Sequence, residues 1–340
     1  MKVLHLKNFW YILADSHELK KDAPLSRVLF EQALVLYRGS DGAPVILPDR
    51  CLHRCGKLSK GRVAEGKLQC PYHGWVYGDS GKVVSMPSEG PRNFPNLCLP
   101  PYTALEQDGY IYVCLEPHPA APMPYSMPHY DEQGWQNLRL QHTFMNNVTN
   151  CVENFIDVPH TAFVHEGIFR KEEGRPIHTS IKRTQGTVAI DYLNESTNLG
   201  SMSWFLNPSK GKVVHVDHFI MPNITHVIYQ LPSGWEYLIT SQSIPVNEGQ
   251  TLVYTDITYH FGIWTKLCSW MIKRQARKVI SQDMEVLKDQ WDVIKRTDGS
   301  FVNMPCDWIH KMISEIREAL EKGVDPRTLP DKTKEITFYV

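Results

Sequence analysis

The spacing of apolar and polar residues over the first 117 positions is that of short β-strands. Apolar side chains come in short runs or alternate with polar ones, and turn-forming glycines such as Gly39, Gly42 and Gly78 separate the runs. This pattern is typical of strands bounded by turns. The expected strands are Phe9–Leu13, Ser26–Tyr37, Pro44–Leu47, Trp75–Tyr77, Val83–Met86 and Tyr110–Leu115. Residues 1–117 are therefore predicted to form an all-β domain.

Proline interrupts this pattern at residues 118–128, where the chain reads HPAAPMPYSMP. Because proline lacks a backbone N–H and fixes φ, such a segment continues neither a sheet nor a helix. A stiff, extended linker is predicted instead. The chain is then expected to have two domains, 1–117 and 129–340.

From residue 129 onwards the pattern predicts strands first and helices afterwards. The expected strands are Leu138–Asn147, Ile181–Asp191, Val213–Met221, Thr225–Leu231, Glu236–Ile244 and Thr251–His260. A long helical pattern follows at Trp264–Arg296, and a second helix, Asp307–Glu321, ends before Gly323 and Pro326. This order indicates an α+β domain in which helices pack on one face of an antiparallel sheet.

Composition and charge narrow the possible partners. The 340 residues include 36 Lys and Arg against 37 Asp and Glu, a formal net charge of −1, which gives no electrostatic case for a nucleic-acid partner. No apolar run approaches the ~20 residues that span a bilayer, and the N-terminus lacks the apolar stretch of a secretion signal, so no membrane partner is expected. Eight cysteines without disulfide-like spacing favour reduced thiols and a cytoplasmic location.

Two short motifs bring cysteine and histidine together in the first domain. Cys51-Leu-His53 is followed by Cys70-Pro-Tyr-His73. Two thiolates and two imidazoles suit a [2Fe–2S] cluster in which the Cys pair holds one iron and the His pair holds the other. Zinc also takes Cys and His in fours, but its sites usually begin with Cys-x₂₋₄-Cys rather than Cys-x-His. The spacing therefore favours iron over zinc.

The residues beside these motifs support the iron interpretation. Gly56 and Gly74 punctuate the two loops, and Trp75 can cover the second one. The string CPYHGW resembles Rieske proteins. Respiratory Rieske proteins join their two cluster loops by an extra disulfide, whereas Cys55 has no partner cysteine in the second loop. We therefore expect Cys55 to be a small buried filler.

A second candidate metal site lies in the stretch DVPHTAFVH. Asp157 and His160 are three positions apart, so one helical turn places them on the same side of the chain. His165 lies five positions beyond His160, so the turn must bend or end before His165 if both imidazoles are to reach one ion. Two histidines and a distant carboxylate form the facial triad of mononuclear non-haem Fe(II), which leaves positions open for O₂. The structural alternative is that Asp157 caps a helix and both histidines are satisfied in the core.

The missing carboxylate is expected far along the chain, in the predicted long helix. Asp283, Glu285 and Asp289 are the candidates. Apolar residues stand three and four positions on either side of Asp283, which places it on the inward stripe of the helix, whereas Glu285 lies off that stripe. Because an inward carboxylate is costly unless it is paired or bound to metal, we expect Asp283 to complete the triad.

Other histidines and aromatic residues of the second domain are weaker candidates for a functional site. The histidines on predicted strands, expected to be satisfied or to line a pocket, are His215, His218, His226 and His260. The aromatic residues considered as pocket walls, with core packing as the better expectation for most of them, are Trp204, Phe205, Phe219, Tyr229 and Trp235.

The two constellations, in this order and across nearly the whole chain, resemble the oxygenase component of Rieske non-haem iron monooxygenases. The short length and the DVPH-x₄-HEG stretch are most similar to the vanillate O-demethylase-like branch. The resemblance implies a helix-grip (START-like) catalytic domain and a homotrimer of α subunits. By motif match it assigns His160, His165 and Asp283 to iron. It also makes Asp157 a bridging acid and places Asn154 beside the iron.

The resemblance also implies a function. Electrons from NAD(P)H come through a separate reductase, a ferredoxin or both, and pass from the cluster of one subunit through Asp157 to the iron of the next. O₂ then serves to hydroxylate a small aromatic, heterocyclic or polycyclic substrate, or to demethylate it at oxygen or nitrogen. Rieske-type desaturases and ring-dihydroxylating dioxygenases share these metals, and a pure electron carrier would lack the mononuclear iron. Cys55, where the family often has Gly or Ala, is a mild departure that bears on the cluster potential.

Overall fold

The chain folds into two compact units in a computed structural model. The structure describes residues 6–90, 95–166, 168, 174–193, 207, 211–297 and 299–339. One unit ends at Ser126 and the other begins at Met127. The proline-rich stretch packs with the first unit up to Ser126, and there the Ala120 N–H donates to Asn8 O at 2.7 Å.

Short antiparallel strands make up the first unit. The ten strands among its described residues are β1 Tyr11–Asp15, β2 Leu25–Leu29, β3 Gln32–Arg38, β4 Pro44–Pro48, β5 Arg62–Ala64, β6 Lys67–Gln69, β7 Val76–Tyr77, β8 Val83–Ser85, β9 Thr103–Gln107 and β10 Tyr110–Cys114. They form three sheets with the strand orders β1-β10-β9, β2-β3-β4 and β5-β6-β7-β8. The prediction of an N-terminal all-β domain is confirmed.

The apolar run Ser26–Tyr37 predicts one long strand, but the structure folds it into the hairpin β2-β3. Phe30 and Glu31 connect the two strands with φ angles of 49° and 63°. Two successive residues with positive φ are typical of the type I′ turn, whose twist matches that of a hairpin and which usually carries Asn-Gly or Asp-Gly. The sequence conceals this turn because neither residue is a turn former.

The core of the first unit includes both cysteines of the metal motifs. Cys51 and Cys70 belong to the same buried cluster as Tyr37 and Tyr77. The hydroxyl of Tyr37 donates to Gly78 O at 2.9 Å, which ties β3 to the turn after β7. The cysteine end of each loop is therefore anchored in a packed interior.

One large antiparallel sheet dominates the second unit. The eight strands among the described residues are β11 Gln136–Phe144, β12 Pro176–Thr184, β13 Thr187–Tyr192, β14 Val214–Ile220, β15 Ile224–Gln230, β16 Glu236–Asn247, β17 Gln250–His260 and β18 Lys332–Tyr339. Their order in the sheet is β11-β17-β16-β15-β14-β13-β12-β18. The predicted single strand Ile181–Asp191 is in fact divided between β12 and β13, because Gln185 and Gly186 form a turn with φ angles of 48° and 77°.

Helices cover part of this sheet. The second unit includes the helices α1 Val148–Asn154, α2 Ser269–Ile294 and α3 Trp308–Glu321, together with the 3₁₀ turn Pro159–Ala162. The long helix begins later than the predicted Trp264, because Gly262–Trp264 forms a 3₁₀ turn of its own. Ile272 and Ala276 of α2 pack into the core formed with the sheet. No helix among the described residues is both long enough and apolar enough to cross a bilayer.

The last strand, β18, was not predicted. It follows the helices in sequence and pairs antiparallel with β12, so it extends the sheet at that edge. Only Ile336 and Phe338 of this strand are buried, and most of its other residues are exposed polar ones. Two inward side chains are too weak a pattern to predict a strand. The α+β prediction, an antiparallel sheet with C-terminal helices, is nevertheless confirmed.

Candidate metal centres

Two similar loops carry the Cys-x-His and Cys-x-x-His motifs. The first loop follows β4, and its Cys51 N–H donates to Gly56 O at 2.8 Å. The second loop joins β6 to β7, and its Cys70 N–H donates to Trp75 O at 2.8 Å. Each loop is thus closed across its own base by a backbone hydrogen bond that begins at the cysteine.

The two kinds of ligand residue differ in their exposure. The cysteines Cys51 and Cys70 are each 2% exposed, whereas His53 is exposed and His73 is half-buried. The two imidazole rings lie together, with their centroids 4.5 Å apart. Buried sulfurs and outer imidazoles suit a cluster whose two irons have different ligands, one Cys₂ and one His₂.

Neighbouring aromatic residues complete the first centre. The hydroxyl of Tyr77 accepts from the Leu52 N–H at 2.9 Å and lies 3.2 Å from Cys51 Sγ, so its own hydrogen is available to the sulfur. Burial raises the pKa of the Cys51 thiol, and the hydrogen bond from Tyr77 works in the opposite direction by favouring the thiolate. The indole of Trp75 stacks on His53 at 4.9 Å with an interplanar angle of 2°. The donor set and its surroundings therefore fit a Rieske cluster.

The glycines of the two loops lie where a larger residue would not fit or would be strained. A Cβ at Gly56 would lie 3.0 Å from Cys70 Sγ, and Gly74 has a φ of +74°, a conformation that favours glycine.

Cys55 is exposed, so the expectation of a buried filler is wrong. Its φ of +52° puts it in the left-handed region, and its N–H donates to Cys51 O at 3.0 Å, which leaves the side chain outside the packed interior.

The second centre starts where α1 ends. Asn147 caps this helix by accepting from the Asn150 N–H at 2.9 Å, and the helix stops at Asn154. Pro159 then opens the 3₁₀ turn, which ends at Ala162 and so leaves the chain free to turn before His165. The sequence requirement that the turn end before the second histidine is met.

The two histidines and the carboxylate predicted from the sequence lie together. Their ligand atoms, one from each of His160, His165 and Asp283, all lie within 4.8 Å of one another. Asp283 Oδ1 is 3.1 Å from His165 Nε2 and 3.5 Å from His160 Nε2. Asn154 Nδ2 lies 3.3 Å from His160 Nε2 and 3.5 Å from Asp283 Oδ1. Four side chains, from α1, the 3₁₀ turn, the segment just after that turn and α2, thus lie close together.

Helix α2 presents Asp283 inward and its competitors outward. The side chain of Asp283 is 9% exposed and shares its face with the buried Ile272, Ala276 and Leu287. The side chain of Asp289 is 75% exposed, and Glu285 is also exposed. Neither of these two carboxylates is among the three groups brought together at the centre.

The outer nitrogen of each histidine faces a side-chain oxygen, but only that of His165 makes a hydrogen bond. His160 Nδ1 is 3.5 Å from Asp157 Oδ2, and His165 Nδ1 is 3.0 Å from Gln282 Oε1. Partners of this kind fix the ring orientation and leave Nε2 for the metal. Asp157 does not cap the following turn, whose cap residue Val158 makes no side-chain hydrogen bond. Gln282 was missed by the sequence reasoning, and its position next to Asp283 was the one available indication.

At the second centre the histidines and carboxylates shift each other's pKa values. Burial alone would lower the pKa of His160, but the carboxylates of Asp157 and Asp283 raise it to about 9. Burial would likewise raise the pKa of Asp283, but His160 and His165 hold it below its ordinary value. Two imidazoles beside an ionised carboxylate form the donor set of a facial-triad iron site. The residues at this centre fit mononuclear iron.

A cavity of about 190 Å³ lies next to this triad, between α2 and the sheet. Most of its wall is apolar or aromatic, with Phe144, Phe155, Tyr237 and Ile257 among the lining residues. An apolar cavity with a few convergent polar groups is the usual form of a small-molecule site. Such a cavity can hold an apolar or aromatic molecule against the triad.

A hydrogen-bonded group forms a polar part of the cavity wall. His215 Nε2 lies 2.9 Å from Asp217 Oδ1, and the Tyr192 hydroxyl donates to Asp217 Oδ2 at 3.0 Å. The His215 ring stacks between Tyr192 and Tyr229, with centroid distances of 4.3 Å and 4.2 Å. His215 is thus both satisfied and pocket-lining. Asp217 was missed, although its position two residues after His215 on β14 places it on the same face.

The aromatic residues considered as cavity walls fall into three groups. Tyr229 lines the cavity. Phe219 is fully buried outside the lining set, and Trp235 packs with the core near Phe261. Trp204 and Phe205 lie outside the described residues. Core packing therefore accounts for Phe219 and Trp235.

Family models match both parts of the chain. Residues 9–103 match the Rieske [2Fe-2S] domain, and residues 146–322, just over half of the chain, match the vanillate O-demethylase oxygenase C-terminal domain. Chlorophyllide a oxygenase from Oryza sativa is 34% identical over 352 residues, which cover 94% of this chain and 58% of that protein. The vanillate O-demethylase oxygenase subunit of Pseudomonas sp. is 31% identical over 180 residues, which cover 52% of this chain and 50% of that protein. The matches thus leave more than a third of either relative uncovered.

Solved structures share the fold over nearly the whole chain. Pseudomonas putida NdmA with caffeine has a TM-score of 0.83 at 21% identity and covers 98% of both chains. Dicamba monooxygenase bound to dicamba has a TM-score of 0.83 at 21% identity and covers 93% of this chain and 98% of the other. Together with the two matched domains, this places the chain in the Rieske non-haem iron oxygenase family, in the branch with a vanillate O-demethylase-type catalytic domain, whose members carry a Rieske [2Fe–2S] cluster and mononuclear iron.

Proposed function

We propose that this chain is the terminal oxygenase component of a Rieske monooxygenase. It would use O₂ and electrons from a separate NAD(P)H-dependent reductase, directly or through a ferredoxin, to hydroxylate a small aromatic, heterocyclic or polycyclic substrate or to demethylate it at oxygen or nitrogen. The observation that carries the proposal is the convergence of His160, His165 and Asp283 at the wall of an apolar cavity. The Cys/His loops of the first unit also support the proposal, since they offer the ligands of the cluster that would deliver the electrons.

The ligand assignments belong to this proposal. Cys51, His53, Cys70 and His73 would hold the cluster in the domain predicted as 1–117. The facial triad would hold the iron in the domain predicted as 129–340, beyond the predicted linker 118–128. When bound, the cluster supplies electrons one at a time and the mononuclear iron activates O₂ for insertion of one oxygen atom into a C–H bond.

The chain's own residues would position the substrate and keep water out. The aromatic and aliphatic walls of the cavity favour a flat apolar molecule, since its burial removes apolar surface from water. Asn154 lies within 3.3 Å of His160 Nε2 and can orient a group at the open side of the centre. The pair His215 and Asp217 offers a polar contact in an otherwise apolar wall.

Asp157 is proposed as the bridge for electrons between subunits. One of its oxygens faces His160 Nδ1 at 3.5 Å, and its side chain is 29% exposed, so its carboxylate remains accessible to a second donor. In a head-to-tail homotrimer that donor would be His73 of the partner subunit. Charge-assisted hydrogen bonds on both sides would then fix both rings and join the two centres.

The variant Asp157→Asn tests the bridge. It keeps the size of the side chain but removes its charge, and hydrogen bonds to charged groups are roughly twice as strong as neutral ones. We expect the variant to keep both metals and a reducible cluster, yet to reoxidise that cluster much more slowly with substrate and O₂ in a stopped-flow experiment. Reoxidation at the wild-type rate would contradict the bridge, and loss of the mononuclear iron would make Asp157 a structural support instead.

The reaction class is tested by a substrate panel with purified chain, reductase and NADH. Vanillate, caffeine, dicamba and chlorophyllide a represent the methoxy-aromatic, heterocyclic and polycyclic classes. We expect at least one of these to stimulate O₂ uptake and to yield a hydroxylated or demethylated product. Cluster reoxidation that no substrate accelerates, in a chain that lacks mononuclear iron, would identify an electron carrier.

A cytoplasmic location is part of the same proposal. None of the eight cysteines is in a disulfide, and five of them, Cys51, Cys70, Cys114, Cys151 and Cys268, are buried. Free thiols are typical of a reducing compartment. A reductase or ferredoxin from the same compartment would then be the electron donor.

A further inference from the structure

Four large apolar side chains are exposed just before and at the start of α2. They are Ile263 (86% exposed), Trp264 (45%), Leu267 (66%) and Trp270 (70%), and together we call them the Trp patch. Single exposed apolar residues are normal, but a contiguous group of this size marks an interaction surface. Nothing in the proposed catalytic role uses these side chains.

The backbone brings the Trp patch onto one side of the chain. The Cys268 N–H donates to Trp264 O at 3.1 Å, and the Ile272 N–H donates to Cys268 O at 3.0 Å, so the helical turns are continuous into α2. Leu267 and Trp270 are three positions apart, which places them on one side of the chain where it enters the helix, and Ile263 lies in the 3₁₀ turn just before them. The opposite face, with Cys268 and Ile272, is buried in the core. This segment therefore buries apolar side chains on one side and exposes Ile263, Leu267 and Trp270 on the other.

The charges around the Trp patch have a single sign. Between Asp256 and Asp283 the chain has five Lys and Arg residues and no Asp or Glu; the five are Lys266, Lys273, Arg274, Arg277 and Lys278. All but Lys273 are exposed, and within the described part of the chain none of the five is paired with a carboxylate in an ion pair. Outside this segment the chain has 31 Lys and Arg against 37 Asp and Glu, so this cationic concentration is local.

We propose that the Trp patch and its basic residues bind an anionic lipid surface, with α2 lying against the membrane rather than crossing it. Interfacial helices combine Trp and Leu on one face with Lys and Arg beside it. Tryptophan is enriched at the boundary between lipid and water, and basic residues are drawn to anionic headgroups. Protein interfaces, in contrast, are depleted in lysine, and three of the five basic residues here are lysines.

The hydropathy of the sequence conceals this surface. A search for membrane segments looks for a continuous apolar run, and the lysines and arginines of α2 break every such run. The expectation of no membrane partner rested on that search and on the lack of a secretion signal. A patch that lies on a bilayer needs only one exposed apolar face, and its exposure becomes known only from the fold.

The position of the patch on α2 links it to the cavity. Ile272 and Ala276, in the first turns of the same helix, line the cavity wall, and Asp283 follows about 20 Å further along the axis from Trp270. A membrane-bound α2 would hold that wall close to the lipid. Resting on the proposed function, this favours substrates that partition into a bilayer.

Vesicle co-sedimentation of the metal-loaded 340-residue chain tests the proposal without O₂, reductant or substrate. The vesicles are phosphatidylcholine alone or phosphatidylcholine mixed with phosphatidylglycerol. We expect binding to the mixed vesicles that added salt weakens, since screening reduces attraction between exposed charges. The double variant Leu267→Ser/Trp270→Ser should lower the partition coefficient by about tenfold or more, because two apolar side chains no longer enter the interface.

Matched controls separate the patch from general surface effects. Val293→Ser changes an exposed apolar residue (60% exposed) near the other end of α2 and should leave binding unchanged. Arg274→Gln/Lys278→Gln should weaken binding to the mixed vesicles only. Circular dichroism and the cluster absorbance establish that each variant is folded.

Two results would overturn the proposal. The first is wild-type protein that does not sediment with the mixed vesicles, and the second is a Leu267→Ser/Trp270→Ser variant that binds as the wild type does. If the wild type does not bind and the double variant changes the sedimentation coefficient in analytical ultracentrifugation, the patch is a contact between copies of this chain. Because the assay involves no turnover, its failure leaves the proposed oxygenase reaction untouched, and the reverse also holds.

Discussion

The two candidate metal centres of this chain are assembled in different ways. The proposed ligand residues of the first, Cys51, His53, Cys70 and His73, come from two loops of small sheets, each closed by its own backbone hydrogen bond. The second joins residues far apart in sequence, since Asn154 and Asp283 are 129 positions apart. The first centre is therefore built locally, whereas the second exists only when α2 is packed on the sheet.

The two centres also differ in how deeply their residues are buried and in how their charges are paired. At the first centre the histidines His53 and His73 reach the surface, and the strained positions lie in the backbone of the loops. At the second, His165 is 2% exposed, and the carboxylate of Asp283 is buried against two imidazoles. A buried carboxylate is stable only while its partners are in place. The second centre should therefore respond to changes in packing and charge that leave the first intact.

The largest effect is expected from Cys70→Ala, which breaks the local centre. The variant should lose the cluster with its visible and EPR signals, two of the irons and all turnover. It should keep about one iron at the second centre, because no ligand residue is shared. Optical and EPR spectra with iron analysis measure this.

The control for this experiment is Cys55→Ala, which removes an exposed thiol four positions from Cys51. That variant should keep the cluster spectrum. A Cys70→Ala protein with an intact Rieske spectrum would refute the ligand assignment.

Asp283→Ala should break the other centre alone. The change removes the buried carboxylate that faces both histidines, so about one iron per chain and all turnover should be lost while the cluster spectrum stays. Iron content and the spectrum report the two centres separately.

Two matched substitutions on the same helix are Glu285→Ala and Asp289→Ala, both at exposed positions. They should keep all of the iron and near-normal turnover. If either one lost the iron in place of Asp283→Ala, the inward face of α2 would have been assigned wrongly.

Gln282→Leu should give a smaller, graded effect. Without the oxygen that lies 3.0 Å from His165 Nδ1, the ring loses the partner that orients it, while all three proposed ligands remain. Loss of such a partner typically lowers metal affinity about 10- to 100-fold. Titration of the iron-free protein with Fe(II), followed by the fraction retained after desalting, measures the change. Ser281→Ala, an exposed neighbour, is the control, and equal affinity in Gln282→Leu would exclude a positioning role.

The smallest effect concerns the stability of the catalytic unit in acid. Burial, with a smaller contribution from His218, lowers the pKa of His226 to about 4, so the folded chain keeps it neutral where the unfolded chain is protonated. The free energy of unfolding is therefore unaffected by His226 above about pH 6.5 and decreases progressively as the pH falls toward 4, because protonation of this side chain then favours the unfolded chain. Near pH 5.5 the loss is about 1 kcal/mol.

Guanidinium unfolding of wild type and His226→Gln at neutral and mildly acid pH measures this contribution. The variant should show the shallower decline, because it has no proton to gain at this position on unfolding. Thr240 Oγ1 lies 2.8 Å from His226 Nδ1, and glutamine can retain that contact. Equal pH dependence in the two proteins would contradict the prediction.

The contrast between the centres also explains what the sequence could predict. Cys51, His53, Cys70 and His73 form a local spacing, and a local spacing is readable without a fold. Asp283 could be chosen from three carboxylates because helical periodicity places it inward. The division into an all-β part and an α+β part followed from periodicity in the same way.

The features that escaped prediction depend on contacts distant in sequence or on unusual backbone. Gln282 meets His165, and Asp217 meets Tyr192, only in the folded chain. Strand β18 has just two inward residues, and the Phe30-Glu31 turn lacks any turn former. The exposure of Cys55 follows from its left-handed conformation, which residue type alone does not indicate.

We propose above all that one chain carries both a Rieske cluster and a separate mononuclear iron. Iron and acid-labile sulfide, determined per chain on the purified, reconstituted protein, test it directly. We predict about three irons and about two sulfides, since the cluster holds two irons and the facial triad holds one. About two irons and two sulfides, unchanged by Asp283→Ala, would contradict the claim and leave a cluster without its acceptor.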